Sequence, residues 1–138
     1  MSIEKDLAYI AGFIDGEGCI TISNNGSVSL GIVNTSLIVL EYIVSIIGGS
    51  LTKRTQIVNK PQYVLRWYGD ECIEVLSTLL PYLIEKKPQA TTILEYFELR
   101  ADIKPIRIPG KRGAYANPDR EILIKVFQEI LTELKLDH

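Results

Sequence analysis

Three small residues, Ala8, Gly12 and Gly16, recur at every fourth position near the start of the chain, and no other feature restricts its fold so tightly. Residues four apart share one face of a helix. A helix here therefore bares a strip with almost no side chain, along which a second helix backbone can approach closely. The apolar residues Leu7, Ile10, Ala11 and Ile14 keep helical spacing and belong against a core. The helix ends at Gly16-Glu17-Gly18, with Asp15 just inside, and the chain turns straight into a strand. Two copies packed along the strip would bring their Glu17 carboxylates together at the bottom of the helix pair, and convergent carboxylates bind Mg²⁺. Taken alone, the same acidic turn would be an ordinary helix end.

Alternating helical and strand patterns follow. Over residues 19–23, Ile20 and Ile22 alternate with Thr21 and Ser23; Asn24-Asn25-Gly26 then makes a hairpin turn. Val28, Leu30 and Ile32 alternate with Ser27, Ser29 and Gly31 on the returning strand. Thr35 or Ser36 caps a helix to Ile47 that Gly48-Gly49 ends. Residues 51–57 and 62–68 form a second strand pair around Asn59-Lys60-Pro61. The register of 51–57 is open by one residue, presenting either Lys53 and Thr55 or Arg54 and Gln56 on a given face. Asp70 caps a helix carrying Ile73, Leu76 and Leu80. Pro88 starts another that runs to about Arg100. Residues 102–116 read as a basic loop. A last helix from Asn117-Pro118 carries Ile122, Leu123, Val126, Phe127, Ile130, Leu131 and Leu134 as one apolar stripe. This order predicts an α+β fold: helices packed on one face of a four-stranded antiparallel sheet, the other face polar and open. A curved sheet of that kind can lie in a major groove and reach base edges.

The chain has 138 residues, 46% of them hydrophobic, which suits one domain over 1–138 without disulfide support. No apolar run approaches the roughly 18 residues of a membrane span, and the N-terminus does not read as a secretory signal, so an intracellular protein is expected. Cys19 and Cys72 have neither a metal-ligand spacing nor the number for a disulfide scaffold, and free buried thiols are expected. His138 is the only histidine, which excludes zinc-finger and histidine-dependent nuclease chemistry. The net charge of −2 is unusual for a nucleic-acid binder. Its distribution matters more than its sum. Residues 51–69 hold Lys53, Arg54, Lys60 and Arg66 with no acid, and residues 103–118 hold Lys104, Arg107, Lys111 and Arg112, again with none. One basic face and an acidic back would produce this segregation, as would chance clustering of solvated charge.

The segment Ile10-Ala11-Gly12-Phe13-Ile14-Asp15-Gly16-Glu17-Gly18 resembles the namesake motif of the LAGLIDADG homing endonucleases at nearly every position. Leu7-Ala8-Tyr9 before it and Cys19-Ile20 after it fit as well. Further resemblance lies in Ile32-Val33-Asn34-Thr35, in Ile47-Gly48-Gly49, and from Pro81-Tyr82-Leu83 through Lys86-Lys87-Pro88-Gln89-Ala90. The acid at the metal position is Glu17 rather than Asp; the family contains both.

The resemblance implies a Mg²⁺-dependent endonuclease that cuts double-stranded DNA at a long near-palindromic site and leaves 3′ overhangs. Mn²⁺ would substitute, and Ca²⁺ would bind without supporting cleavage. It implies Glu17 and Gly16 at the metal, Lys86 (with Lys87 as rival) as the active-site lysine, and Asn34 near the metal-bound water. Ala8, Gly12, Asp15 and Gly16 would form a helix–helix seam. One motif copy implies a homodimer. The DNA face would comprise Thr21, Ser23, Asn25, Ser27, Ser29, Lys53, Arg54, Lys60, Gln62, Arg66, Lys111 and Arg112. Neither an organic cofactor nor a membrane partner is expected. The alternatives are an intron maturase on the same fold, a DNA-binding regulator without catalysis, and an interaction module.

Overall fold

A computed structural model describes residues 3–54, 61–104 and 117–136. Helix α1 (Ile3–Glu17) leads into strands β1 (Gly18–Ile22) and β2 (Val28–Asn34). Helix α2 (Leu37–Ile47) and strands β3 (Ser50–Arg54) and β4 (Gln62–Tyr68) follow. Then come α3 (Gly69–Leu79), a 3-10 turn at Leu80–Tyr82, α4 (Lys87–Asp102) and α5 (Pro118–Leu136). The four described strands form one antiparallel sheet in the order β1-β2-β4-β3. The expected α+β architecture is present.

Alternation sets the two faces of the sheet. Ile20, Ile22, Val28, Leu30, Ile32, Leu65 and Trp67 are buried and pack with Ile10, Ile14, Leu40, Ile43, Leu76 and Leu79 from the helices. The turn at Asn24–Gly26 forms as its residues require. Gly26 takes a φ of 89°, the left-handed region that glycine adopts without strain. Its amide donates to the Ser23 carbonyl at 2.9 Å. The hairpin tip is tied down from below: the buried Tyr96 hydroxyl donates to the Gly26 carbonyl at 2.7 Å, and the Tyr96 ring leans on Phe127. Ser36, of the two candidate residues, caps α2, accepting from the Val39 amide at 3.5 Å.

Gly48 and Gly49 end α2 with φ of 71° and 116°. At Gly49 there is no room for a side chain: a Cβ would stand 2.7 Å from Leu65 Cδ1 and 2.8 Å from Trp67 Nε1. Gly49→Ala combines a strained φ with an overpacked core. It is expected to cost about 2–4 kcal/mol, measured as a lower denaturant midpoint at unchanged slope.

Several expectations are corrected. Asp70 does not cap α3; the helix begins at Gly69, its N-cap is Tyr68 without a side-chain bond, and Asp70 sits in the first turn. The stripe on α5 divides. Ile124, Phe127 and Leu131 are buried, whereas Ile122, Val126 and Ile130 are exposed, because α5 is oriented by its contacts with α4 and β1. Helix α5 also lies along the outer side of β1, where Gln128 Nε2 donates to the Ile22 carbonyl at 2.9 Å and Lys135 Nζ to the Ile20 carbonyl at 2.7 Å. Of the cysteines, Cys72 is buried as expected, and burial pushes its thiol up to about 12, so it stays protonated; Cys19 is exposed. The described part of β3 stops at Arg54, and α4 runs to Asp102. Among the described residues, no helix is long and apolar enough to cross a membrane.

Candidate active site and nucleic-acid interface

The small-residue strip of α1 faces outward. Ala8, Gly12 and Gly16 are exposed, and a Cβ at Gly12 or Gly16 would meet nothing within 4 Å. The opposite positions Ile10, Ala11 and Ile14 are fully buried. The helix is thus anchored by one side and leaves the other bare, with Tyr9 half-exposed beside the strip. Glu17 ends α1 on an exposed turn, and its carboxylate makes no hydrogen bond among the described residues.

Asp15 has a different place. Its carboxylate accepts from the Ile84 amide at 2.8 Å and the Lys86 amide at 3.0 Å. In return Lys86 Nζ donates to the Asp15 carbonyl at 2.8 Å. These three bonds clamp the end of α1 to the start of α4, from residues about seventy positions away in sequence. They also separate the two candidate lysines. Lys86 is half-buried with its ammonium fixed two residues from Glu17, while Lys87 is exposed and opens α4. Asp15→Ala would strip two amides of their acceptor and is expected to cost about 1–2 kcal/mol, read by equilibrium unfolding. Asp15→Asn, which keeps one acceptor oxygen, is expected to cost less.

Asn34 closes β2. Since Gly18 pairs with Ile32, Asn34 stands at the end of the sheet where α1 runs into β1. Its Oδ1 accepts from the Ser36 amide at 2.8 Å, so the side chain is engaged in turning the chain into α2. No three acids or other metal-binding side chains cluster within the described residues. The donors that one chain brings to the end of α1 are the Glu17 carboxylate and the nearby backbone carbonyls. They fit a hard cation with oxygen ligands, provided a second carboxylate is added.

The sheet face opposite the core carries the polar set. Thr21 pairs with Ser29, and Gly31 pairs with both Cys19 and Arg66. Ser50 pairs with Arg66, and Arg54 with Gln62. This settles the phase of β3: Ser50, Thr52 and Arg54 share the open face. Lys53 pairs with Tyr63, in the alternate phase with Leu51 and Leu65, at the sheet margin. Lys53 is nevertheless exposed. Ser23, Asn25 and Ser27 form the exposed hairpin tip, where Asn25 Oδ1 accepts from the Ser27 amide at 3.0 Å. A shallow recess of about 290 Å³ lies among Ser50, Thr52, Lys53, Arg54, Val64, Arg66 and Tyr68. Lys60, Lys111 and Arg112, with Thr55 and Gln56, lie outside the described residues. The partners of Asp15 at Ile84 and Lys86, and the cover that Gln128 and Lys135 give β1, leave no local signal in the sequence.

No family model matches the sequence, and no characterised protein sequence does. Solved structures do match. The homing endonuclease I-CvuI, in complex with the I-CreI target in the presence of Mg and with the DNA not cleaved, superposes with a TM-score of 0.69 at 23% identity, over 96% of this chain and 83% of that one. The archaeal intron-encoded homing endonuclease I-Vdi141I, complexed with DNA, gives 0.58 at 20% identity, over 98% of this chain and 99% of that one. The LAGLIDADG meganuclease I-AabMI, bound to uncleaved DNA, gives 0.56 at 20% identity, over 95% of this chain and 43% of that one. The outward small-residue strip, the acidic helix end and the open antiparallel sheet thus stand together in the fold of the LAGLIDADG homing endonucleases.

Proposed function

We propose that the chain is a site-specific, double-strand DNA endonuclease of the homing type, acting as a homodimer with Mg²⁺ at a long near-palindromic target and leaving 3′ overhangs. The observation that carries this reading is the exposed Glu17 carboxylate, set between a bare helix strip and the open polar sheet. A second copy packed on Ala8, Gly12 and Gly16 would supply the second carboxylate at the end of the seam. The solved relatives bound to DNA, one of them in the presence of Mg, support the same assignment.

Each group then has a task. Glu17, with the Gly16 backbone, would hold the cation at the helix end. A divalent cation bound there supplies activation of water and stabilisation of the leaving 3′-oxygen. Lys86, fixed by its bond to the Asp15 carbonyl, presents positive charge toward the scissile phosphate. Asp15 acts through Lys86 as a positioning residue. Asn34 marks the sheet end beside the site and orients solvent from there. The open sheet face binds the duplex and sets its register.

The test is cleavage of a pooled duplex library of intron-insertion-like sequences by the purified protein with Mg²⁺, the product ends being sequenced. Discrete paired cuts at near-palindromes are expected. Binding of RNA without any DNA cleavage would replace this reading with a maturase.

A further inference from the structure

The guanidinium of Arg66 occupies an unusual position. Arg66 lies in the interior strand β4 and pairs directly with Gly31 of β2, the other interior strand. Its side chain does not stand away from the sheet but lies over Gly31: a Cβ placed there would be 3.0 Å from Nη1 and 3.4 Å from Cζ. A Cβ there would push the guanidinium aside by a few tenths of an ångström, and a branched side chain by more. Arg66 is half-buried, yet among the described residues its guanidinium makes neither a salt bridge nor a hydrogen bond. The described open face around it offers hydroxyls, valines, Cys19, the Gln62 amide and Arg54, but no carboxylate. Five N–H donors in a rigid plane therefore point to an acceptor outside the chain.

We propose that Arg66, laid flat by Gly31, reads a guanine at one fixed position of each target half-site, through paired bonds to O6 and N7. This rests on the reading of the chain as a site-specific DNA-binding enzyme. Two features favour a base edge over a phosphate. The group sits at the middle of the sheet, which faces the groove floor, whereas Arg54 lies toward the margin, where the backbone runs. The pairing of a planar guanidinium with guanine is also the commonest specific contact in a major groove. Gly31 is accordingly a positioning residue for specificity.

The experiment takes the full chain and the target recovered from the library and replaces every base pair in turn, measuring duplex binding with Ca²⁺ and cleavage with Mg²⁺. For the wild type, one position per half-site is expected to prefer guanine by about ten- to a hundredfold. Arg66→Ala should flatten that position alone. Gly31→Val, which retains the arginine but displaces it, should flatten the same position while the circular dichroism spectrum stays native. Arg66→Gln should move the preference to adenine, whose N6 and N7 match an amide. A merely structural arginine could not produce that shift. If Arg66→Ala instead weakens all sequences equally and makes the salt dependence shallower by about one ion, the contact is to phosphate and the proposal fails. A wild type with no base preference anywhere would overturn the endonuclease reading itself, a separate result.

Discussion

Glu17→Gln is expected to lower Mg²⁺-supported cleavage by at least about a thousandfold while leaving duplex binding intact. Glutamine has the same shape but no charge, so the variant removes the anionic ligand and little else. Glu17 makes no hydrogen bond among the described residues, and its turn is exposed, so folding has no stake in the carboxylate. Loss of a negative charge beside DNA would hold binding steady or tighten it slightly. The decisive pair of measurements is single-turnover cleavage and binding in Ca²⁺ on the same target. Cleavage within tenfold of the wild type would remove Glu17 from the site and leave Asp15 to be considered. Its carboxylate is already committed to the Ile84 and Lys86 amides.

Gly12→Leu is expected to act in opposite directions on the chain and on the assembly. Within one chain a side chain at Gly12 meets nothing within 4 Å, and glycine inside a helix costs about 0.5–1 kcal/mol relative to better helix formers. The isolated chain should therefore gain stability by roughly that amount. Across a seam of closely approaching helices, the same side chain would hold the backbones apart. The variant should sediment as a monomer, and its thermal midpoint should no longer depend on protein concentration. Cleavage should fall below detection, since a single Glu17 would remain at each helix end. A dimeric and active Gly12→Leu would show that the chains associate by some other surface.

What the sequence disclosed, and what it withheld, follows a physical division. Contacts of short range were legible. The alternation of Ile20 and Ile22 with Thr21 and the turn residues Asn24–Gly26 specify their own conformation, as do the Ser36 cap and Gly48-Gly49. The faces of α1 were legible because glycine and alanine so plainly divide from isoleucine. Features that depend on distant partners were not. The stripe on α5 contains more apolar residues than one helix can bury, and only its contacts with α4 and β1 decide that Ile124 turns in and Val126 out. The phase of β3 depends on its pairing with β4, which puts Arg54 rather than Lys53 in step with Arg66. The bond that distinguishes Lys86 from Lys87, from its ammonium to the Asp15 carbonyl, is announced by no local pattern.

The way α5 lies along β1 has a consequence for how this sheet can change. A strand with free carbonyls at the margin invites pairing by another strand. Here the carbonyls of Ile20 and Ile22 are already taken by Lys135 and Gln128, so a newcomer on that side must first break two side-chain bonds and displace a helix. On the far side, β3 carries no such cover among the described residues. Among the described residues, only the β3 margin of the sheet is uncovered. A strand or hairpin added to the sheet, or a stray chain, meets less resistance beside the described part of β3 than beside β1, and an addition there leaves the acidic helix end undisturbed.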